Sequence, residues 1–446
     1  METKELKLNY KNTLFIGCAF FSILMIWQVY NHYAPLFLGE LLKNTLENEK
    51  ERLYIIGIIM AADNFFALFM LPIFGSLSDR TKTPIGKRMP YIVAGMFLAS
   101  VLFPLIAVMF IRDSLVGVIV MMGVILIIMN VYRSPAVALM PDLTPKPLRS
   151  KANGIINLTG YLGAILAGGM AMFIKIDNAL VAFIIASVLM LIAMILLFFN
   201  INENKLLKEN EEAIKLGEEL SQSLDKIEED KPLSKSDKRN FIILILSVFL
   251  WFVSFNAVET FISTYCKEIL QDERFGGLVV IVMTISSILT FIPSGFLANR
   301  IGRKRSVIIG LVSIIVGFIL AIIASKLIIK SGLITTNSLL MVLAIVLCGI
   351  GWALVNVNSY PMLVELSSRN TIGKYTGYYY TSSMVAQTVT PILIGFIMFF
   401  RKEGLNLLFY YSLVMMIIAL TVFVLFKENK KVVRQIQKGL EAFDVD

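Results

Sequence analysis

Long apolar runs alternate with short polar breaks along the whole chain. Runs fall at 13–37, 53–77, 90–111, 115–140, 153–175 and 178–200, then at 240–265, 275–298, 305–329, 337–361, 375–400 and 405–427. A helix needs roughly 20 apolar residues to cross a bilayer, and every run meets that length. The pattern predicts an all-α polytopic membrane protein with twelve transmembrane helices. Between the two sets, 201–239 is dense in charge and broken by Pro232. Within it Ala213, Leu216, Leu220 and Leu224 recur at helical spacing, which predicts an amphipathic helix at the membrane surface. The predicted organisation is therefore a six-helix bundle over 1–200, a linker over 201–239, a second bundle over 240–427 and a tail over 428–446.

The two bundles repeat one another. Gly75-Ser-Leu77-Ser-Asp79-Arg80 closes the second run, and Gly295-Phe-Leu297-Ala-Asn299-Arg300 closes the eighth, 220 residues later. Basic clusters follow both, with Lys82, Lys87 and Arg88 in the first loop and Arg303, Lys304 and Arg305 in the second. After the fourth and tenth runs come Asp142-Leu143 and Glu365-Leu366, 223 residues apart, each with a lysine nine residues on and a glycine twelve residues on. Two matched pairs at nearly one offset point to an internal duplication with both halves running in the same sense.

Charge sets the expected orientation. Arg and Lys concentrate in alternate loops: 80–88, 146–151, the linker, 300–305, 369–374 and the segment from Lys427 onward. The intervening loops, such as Glu40–Arg52 and Lys267–Arg274, carry mixed or sparse charge. By the positive-inside rule both termini are expected in the cytoplasm of a cell whose plasma membrane holds the protein. The same distribution explains the net charge of +9 without a nucleic-acid partner. The first run is too long for a signal-peptide core and lacks a small-residue cleavage site, so it reads as a retained span.

Composition narrows the chemistry. Hydrophobic residues make up 57% of the chain and charged residues 16%, against nearer half and a quarter in soluble domains. Three scattered cysteines (Cys18, Cys266, Cys348) and a single histidine offer no metal spacing and no Ser-His-Asp set. No catalytic residue, metal or cofactor is expected, and an enzyme is not. Gly86-Lys87 resembles part of a phosphate loop, but Thr81 stands where the upstream glycine belongs and Arg88 replaces Ser/Thr. Energy should come from an ion or solute gradient.

Twelve spans, a charged middle loop and Gly-x-Leu-x-Asp-Arg after span two resemble the major facilitator superfamily. The longer first loop, Ser78-Asp79-Arg80 through Gly86-Lys87-Arg88-Met-Pro90-Tyr91, is similar to that of the sucrose-transporter-like and glycoside–pentoside–hexuronide:cation symporter groups. So is Ser134-Pro135-Ala-Val-Ala-Leu139-Met-Pro-Asp142-Leu143 followed by Arg149-Ser-Lys-Ala152-Asn153. The resemblance implies the major facilitator fold, two pseudo-symmetric six-helix bundles, and cation-coupled uptake of a sugar or glycoside. Asp63 is followed by Asn64 rather than a second carboxylate, a departure that argues against sodium coupling and leaves the proton.

Ionisable groups inside a bilayer are costly and usually face a cavity or a partner. Asp63, Arg133, Glu259 and His32 are such groups, and they are the candidates for proton coupling. Gln28, Asn31 and His32 fall at i, i+3 and i+4 on span one, and Asn256, Glu259, Thr260 and Ser263 do likewise on span seven. In the family fold these spans meet across a central cavity, so His32 and Glu259 are expected to gate it or relay a proton. The plainer alternative is a structural helix–helix hydrogen bond. Arg133 needs a counter-charge, either Asp63 or, nearer the helix end, Asp142. If Asp63, its protonation would free Arg133 for substrate hydroxyls. Aromatic faces and amides suited to sugar rings are Trp27, Gln28, Asn31, Asn130, Asn256, Trp352, Asn356 and Gln387. Gly160, Gly163, Gly168 and Gly169 read as helix-packing positions. The loop residues Gly75, Asp79, Arg80, Lys87, Arg88, Asp142, Gly295, Arg300, Arg303 and Glu365 are expected to form a gate. Asp79 would hold it by meeting the positive end of a helix or a basic residue across the halves. The expected partners are a small sugar or glycoside, protons and the lipid bilayer, with the protein monomeric. Two rival readings are an exporter of amphiphilic compounds and a non-transporting membrane sensor.

Overall fold

The computed structural model describes residues 7–217, 235–331, 336–366 and 372–427. Leu220, Leu224, Pro232, Arg369, the tail 428–446 and the side chain of Asp63 lie outside the described residues. Among the described residues twelve helices are long and apolar enough to cross a membrane. Spans one to six are Tyr10–Lys43, Glu49–Arg80, Met89–Ile111, Leu115–Leu143, Lys146–Phe173 and Ile176–Asn200. Spans seven to twelve are Ser236–Glu268, Arg274–Ile301, Arg303–Ile328, Leu339–Leu366, Lys374–Phe400 and Gly404–Val424. The protein is thus a multi-pass membrane protein, as the apolar runs predict.

Several helices run past the apolar stretch that predicted them, and polar side chains cap their starts. Asn9 accepts the Asn12 amide at 3.0 Å, Asn48 that of Lys50 at 3.1 Å, and Ser114 that of Gly117 at 3.1 Å. Span three breaks between Leu102 and Pro104, where the proline lacks the N–H that would continue the ladder. The linker begins with a short helix, Glu203–Glu209, and is helical again over 211–217.

The described chain forms two units. One comprises 1–228, 258–284 and 388–408, the other 229–257, 285–387 and 409–446. The first holds spans one to six with the ends of spans seven, eight and eleven. Its core contains an aromatic stack in which Phe37 and Phe110 lie 4.1 Å apart and Phe103 and Phe183 lie 4.5 Å apart. Spans one and five meet at Gly17, Gly160 and Gly163, where a Cβ would strike Thr159, Leu24 or Phe21. Gly168 packs on Gly277 of span eight, and Gly57 of span two packs on the Pro391 carbonyl of span eleven. Gly169 faces open space, so its expected packing role is corrected: its direction around the helix points it away from span one. In the second unit, spans nine and ten close on each other through Gly310, Gly317 and Gly351.

Candidate functional site

The first basic loop is organised around one arginine. Arg88 precedes span three, and its side chain is only 6% exposed. It donates from Nε to Oδ2 of Asp142 at 2.9 Å, from Nη1 to the Gly75 carbonyl at 3.1 Å and to the Ser78 hydroxyl, and from Nη2 to Asp79. Lys87 reaches the same Asp142 oxygen at 3.0 Å. A buried guanidinium is tolerated only when its donors are filled and its charge is opposed, and here two carboxylates and two further acceptors do both. Gly75, the first motif glycine, lies close under the Ser134 hydroxyl of span four, so a Cβ there would require that hydroxyl to turn away.

Two expectations are corrected here. The partner of Asp79 is Arg88, which stands at the N-cap of span three; of the two partners expected, the basic residue across the halves is corrected to one in the same half. Asp142 is engaged by Lys87 and Arg88 rather than by Arg133. Arg133 stands nine residues earlier on the same helix, a rise of about 13 Å, whereas the loop brings Arg88 directly alongside.

The second unit repeats the bond. Arg303, at the start of span nine, pairs with Glu365 near the end of span ten. Asp142 and Glu365, matched in sequence, thus each take the arginine that opens the third span of their own half. Glycines in the left-handed region turn both loops, Gly86 at φ 121° and Gly302 at φ 91°. Asn299 carries no charge where Asp79 does. Lys304 Nζ donates to the Val424 carbonyl at 2.9 Å. Arg80 and Arg300 are exposed, and Gly295 has open space where a Cβ would stand.

On span one, Trp27, Gln28 and Asn31 form a half-buried face. His32 departs from it. It is 3% exposed, and its Nδ1 lies 3.0 Å from the Ser263 hydroxyl of span seven, with Gly276 of span eight packed on the ring. Glu259 stands one turn before Ser263 and is half-buried. Toward the same end, Lys267 pairs with Glu40, Glu40 accepts from Lys43 at 3.0 Å, and Lys43 reaches Glu268 at 3.3 Å. In the sequence this chain of charges reads only as mixed loop charge. The signal that could find it is opposite signs at corresponding ends of spans one and seven.

Arg133 holds its guanidinium carbon 5.4 Å from the centre of the Trp27 ring, a cation–π distance. One turn away Asn130, 1% exposed, donates its amide to the Leu126 carbonyl at 2.9 Å, and its Oδ1 has no hydrogen-bond partner among the described residues. In the second unit Trp352 stacks on Phe255 at 3.9 Å and meets Phe252 edge-on at 5.3 Å. Asn256 and Asn356 each donate to the carbonyl one turn back, Phe252 and Trp352, which uses one of the two N–H donors of each amide. Gln387 is half-buried on span eleven.

Twelve membrane-length helices among the described residues and a duplicated arginine–carboxylate clamp define a helical multi-pass membrane protein with an internal repeat. The chain belongs to the Major Facilitator Superfamily, whose family model matches residues 16–273 and 271–444. Over 209 residues it is 28% identical to multidrug resistance protein 2 of Bacillus subtilis (strain 168), covering 45% of this chain and 48% of that protein. The chain therefore matches about half the length of that curated relative. Among solved structures it resembles a bacterial homologue of the iron transporter ferroportin in an inward-facing state, with TM-score 0.68 and 16% identity over 95% of this chain and 100% of that one. It resembles a D-xylose–proton symporter with TM-score 0.68 and 14% identity over 95% and 99%. The nucleoside transporter NupG gives TM-score 0.63 and 15% identity over 94% and 98%. At these identities the structures establish the fold alone.

Proposed function

We propose that this secondary transporter takes up a sugar or glycoside together with protons, by alternating exposure of one site to the two sides of the membrane. The observation carrying this reading is the polar–aromatic face of the first unit. Trp27 offers an indole plate for the apolar side of a sugar ring, with Gln28 and Asn31 beside it. Nearby, Asn130 turns an unpartnered buried oxygen toward any hydroxyl that reaches it. Burying such an acceptor without a partner costs about 1–3 kcal/mol, which a cargo hydroxyl would recover. Arg133 supplies donors on the same span.

In this reading Asp63, Arg133, Glu259 and His32 carry the coupling. The halves 1–200 and 240–427 rock, with both termini in the cytoplasm and the protein in the plasma membrane. The likeness to the xylose–proton symporter is consistent with this cargo class but supplies only the fold.

A second reading is favoured by the multidrug resistance relative and by the Phe252–Trp352–Phe255 stack, which suits a flat apolar cargo. Proteoliposomes assayed with labelled mono- and disaccharides, with and without an inward proton gradient, separate the two. Gradient-dependent accumulation of a sugar supports uptake. No sugar accumulation together with ethidium extrusion assigns the protein to export.

A further inference from the structure

The start of the linker is part of the first basic loop. Glu203 is 0% exposed. Its carboxylate accepts the backbone N–H of Arg88 at 2.9 and 3.2 Å and that of Met89 at 3.0 Å. Those amides are donors left over at the positive end of span three, where an acid is favoured. Beside it, the Asn204 amide donates to the carbonyls of Thr83 at 3.0 Å and Pro84 at 2.8 Å. Two turns on, Asn210 donates to the Leu143 carbonyl at 3.1 Å, next to Asp142. The loop is wrapped around Glu203 closely enough that a Cβ on Gly86 would overlap its carboxylate.

We propose that Glu203 is a positioning residue: by fixing the backbone at Arg88 and Met89 it aims the Arg88 guanidinium at Asp79 and Asp142, so the linker sets the gating loop. The proposal rests on the transporter reading for its functional meaning. Its physical basis is that Glu203 grips the backbone of the residue whose side chain makes the clamp. A shift of the linker would therefore turn Arg88 without touching either of its acids. The second half gives an internal comparison. Val424 ends its last span as Asn200 ends span six, and there it is a backbone carbonyl that meets the basic loop, through Lys304. In the first half the contact is made by a carboxylate, on the segment that the linker continues.

The test uses the purified full-length protein and needs no cargo. Amide hydrogen exchange is followed across 86–92 in wild type, Glu203→Gln, Glu203→Ala and Gly86→Ala. A hydrogen bond to a charged acceptor protects by on the order of tenfold or more. Glu203→Ala and Gly86→Ala should thus speed exchange at Arg88 and Met89 by about tenfold, with Glu203→Gln between. In a cysteine-free background carrying Lys82→Cys, alkylation of the loop should quicken with Glu203→Ala. It should not quicken further when Glu203→Ala is added to Arg88→Gln, because both act through one guanidinium. A purely structural glutamate would give additive effects, and additivity overturns the proposal, as does unchanged exchange at Arg88 and Met89. If Glu203→Ala aggregates, Glu203→Gln and Gly86→Ala decide the question through the same exchange rates. Failure to find any transported cargo would sink the transporter reading while leaving these readouts intact.

Discussion

Arg88 donates from Nε to Oδ2 of Asp142 at 2.9 Å, tying the start of span three to the end of span four. The same arrangement recurs in Arg303 and Glu365. The duplicated sequence thus encodes a duplicated ion pair, with the charges contributed by the same two helix ends in each half.

Breaking the first pair should destabilise the protein more than breaking the second. Arg88→Gln strips Asp79, which is 58% exposed and stays solvated, and leaves Asp142 with Lys87, so the loss should be about 1–2 kcal/mol from the charge-assisted bonds removed. Arg303→Gln should cost less, because the Arg303 side chain is 21% exposed against 6% for Arg88. Melting of the two variants in one detergent decides the order.

Asp79→Asn should slow transport on the order of tenfold by removing a charge-assisted bond to Arg88. Asn299→Ala removes no such bond and should leave the rate near wild type. Initial rates in proteoliposomes at matched protein density compare them, and equal losses would show that the extra acid has no separate role.

Trp27→Ala and Arg133→Ala should both raise the half-saturation concentration for cargo. A cation–π contact is worth about 0.5–2 kcal/mol, which corresponds to a few-fold to roughly thirtyfold change. Trp27→Phe keeps a ring and should lose less. Binding isotherms for the transported compound provide the measurement.

Glu259→Gln should abolish gradient-driven accumulation yet keep exchange of labelled for unlabelled cargo, since exchange needs no net proton movement. Accumulation that keeps its pH dependence in this variant would remove Glu259 from the coupling path.

Gly277→Leu should destabilise by about 2 kcal/mol or more, because its Cβ would press on the span-five backbone at Gly168 and Met172. Gly169→Leu, in open space, should be tolerated. Thermal unfolding of the two variants tests this contrast.

The spans are legible in the sequence because their apolar length is a direct consequence of bilayer thickness, and the acids Asp142 and Glu365 because they hold one register after equivalent helices. Their arginine partners are harder to find. Arg88 lies nine residues beyond Asp79, while Arg303 lies four beyond Asn299, so no fixed offset links them. Helical spacing groups His32 with Gln28 and Asn31. Its contact with Ser263 joins the two faces that spacing picks out, but the close approach of span eight at Gly276 is a tertiary fact that spacing does not carry. Glu203 reads as one more linker charge, and only burial distinguishes it from its solvated neighbours.

The clamps also divide the basic residues by electrical role. Arg88 and Arg303 are neutralised by adjacent acids and contribute little to the field beyond their own loops. Arg80, Lys82, Arg300 and Arg305 remain exposed. Their charge faces the surroundings, where added salt screens it within a Debye length while the buried pairs persist. Ionic strength thus acts on one set of basic residues, and the internal architecture of each half depends on the other.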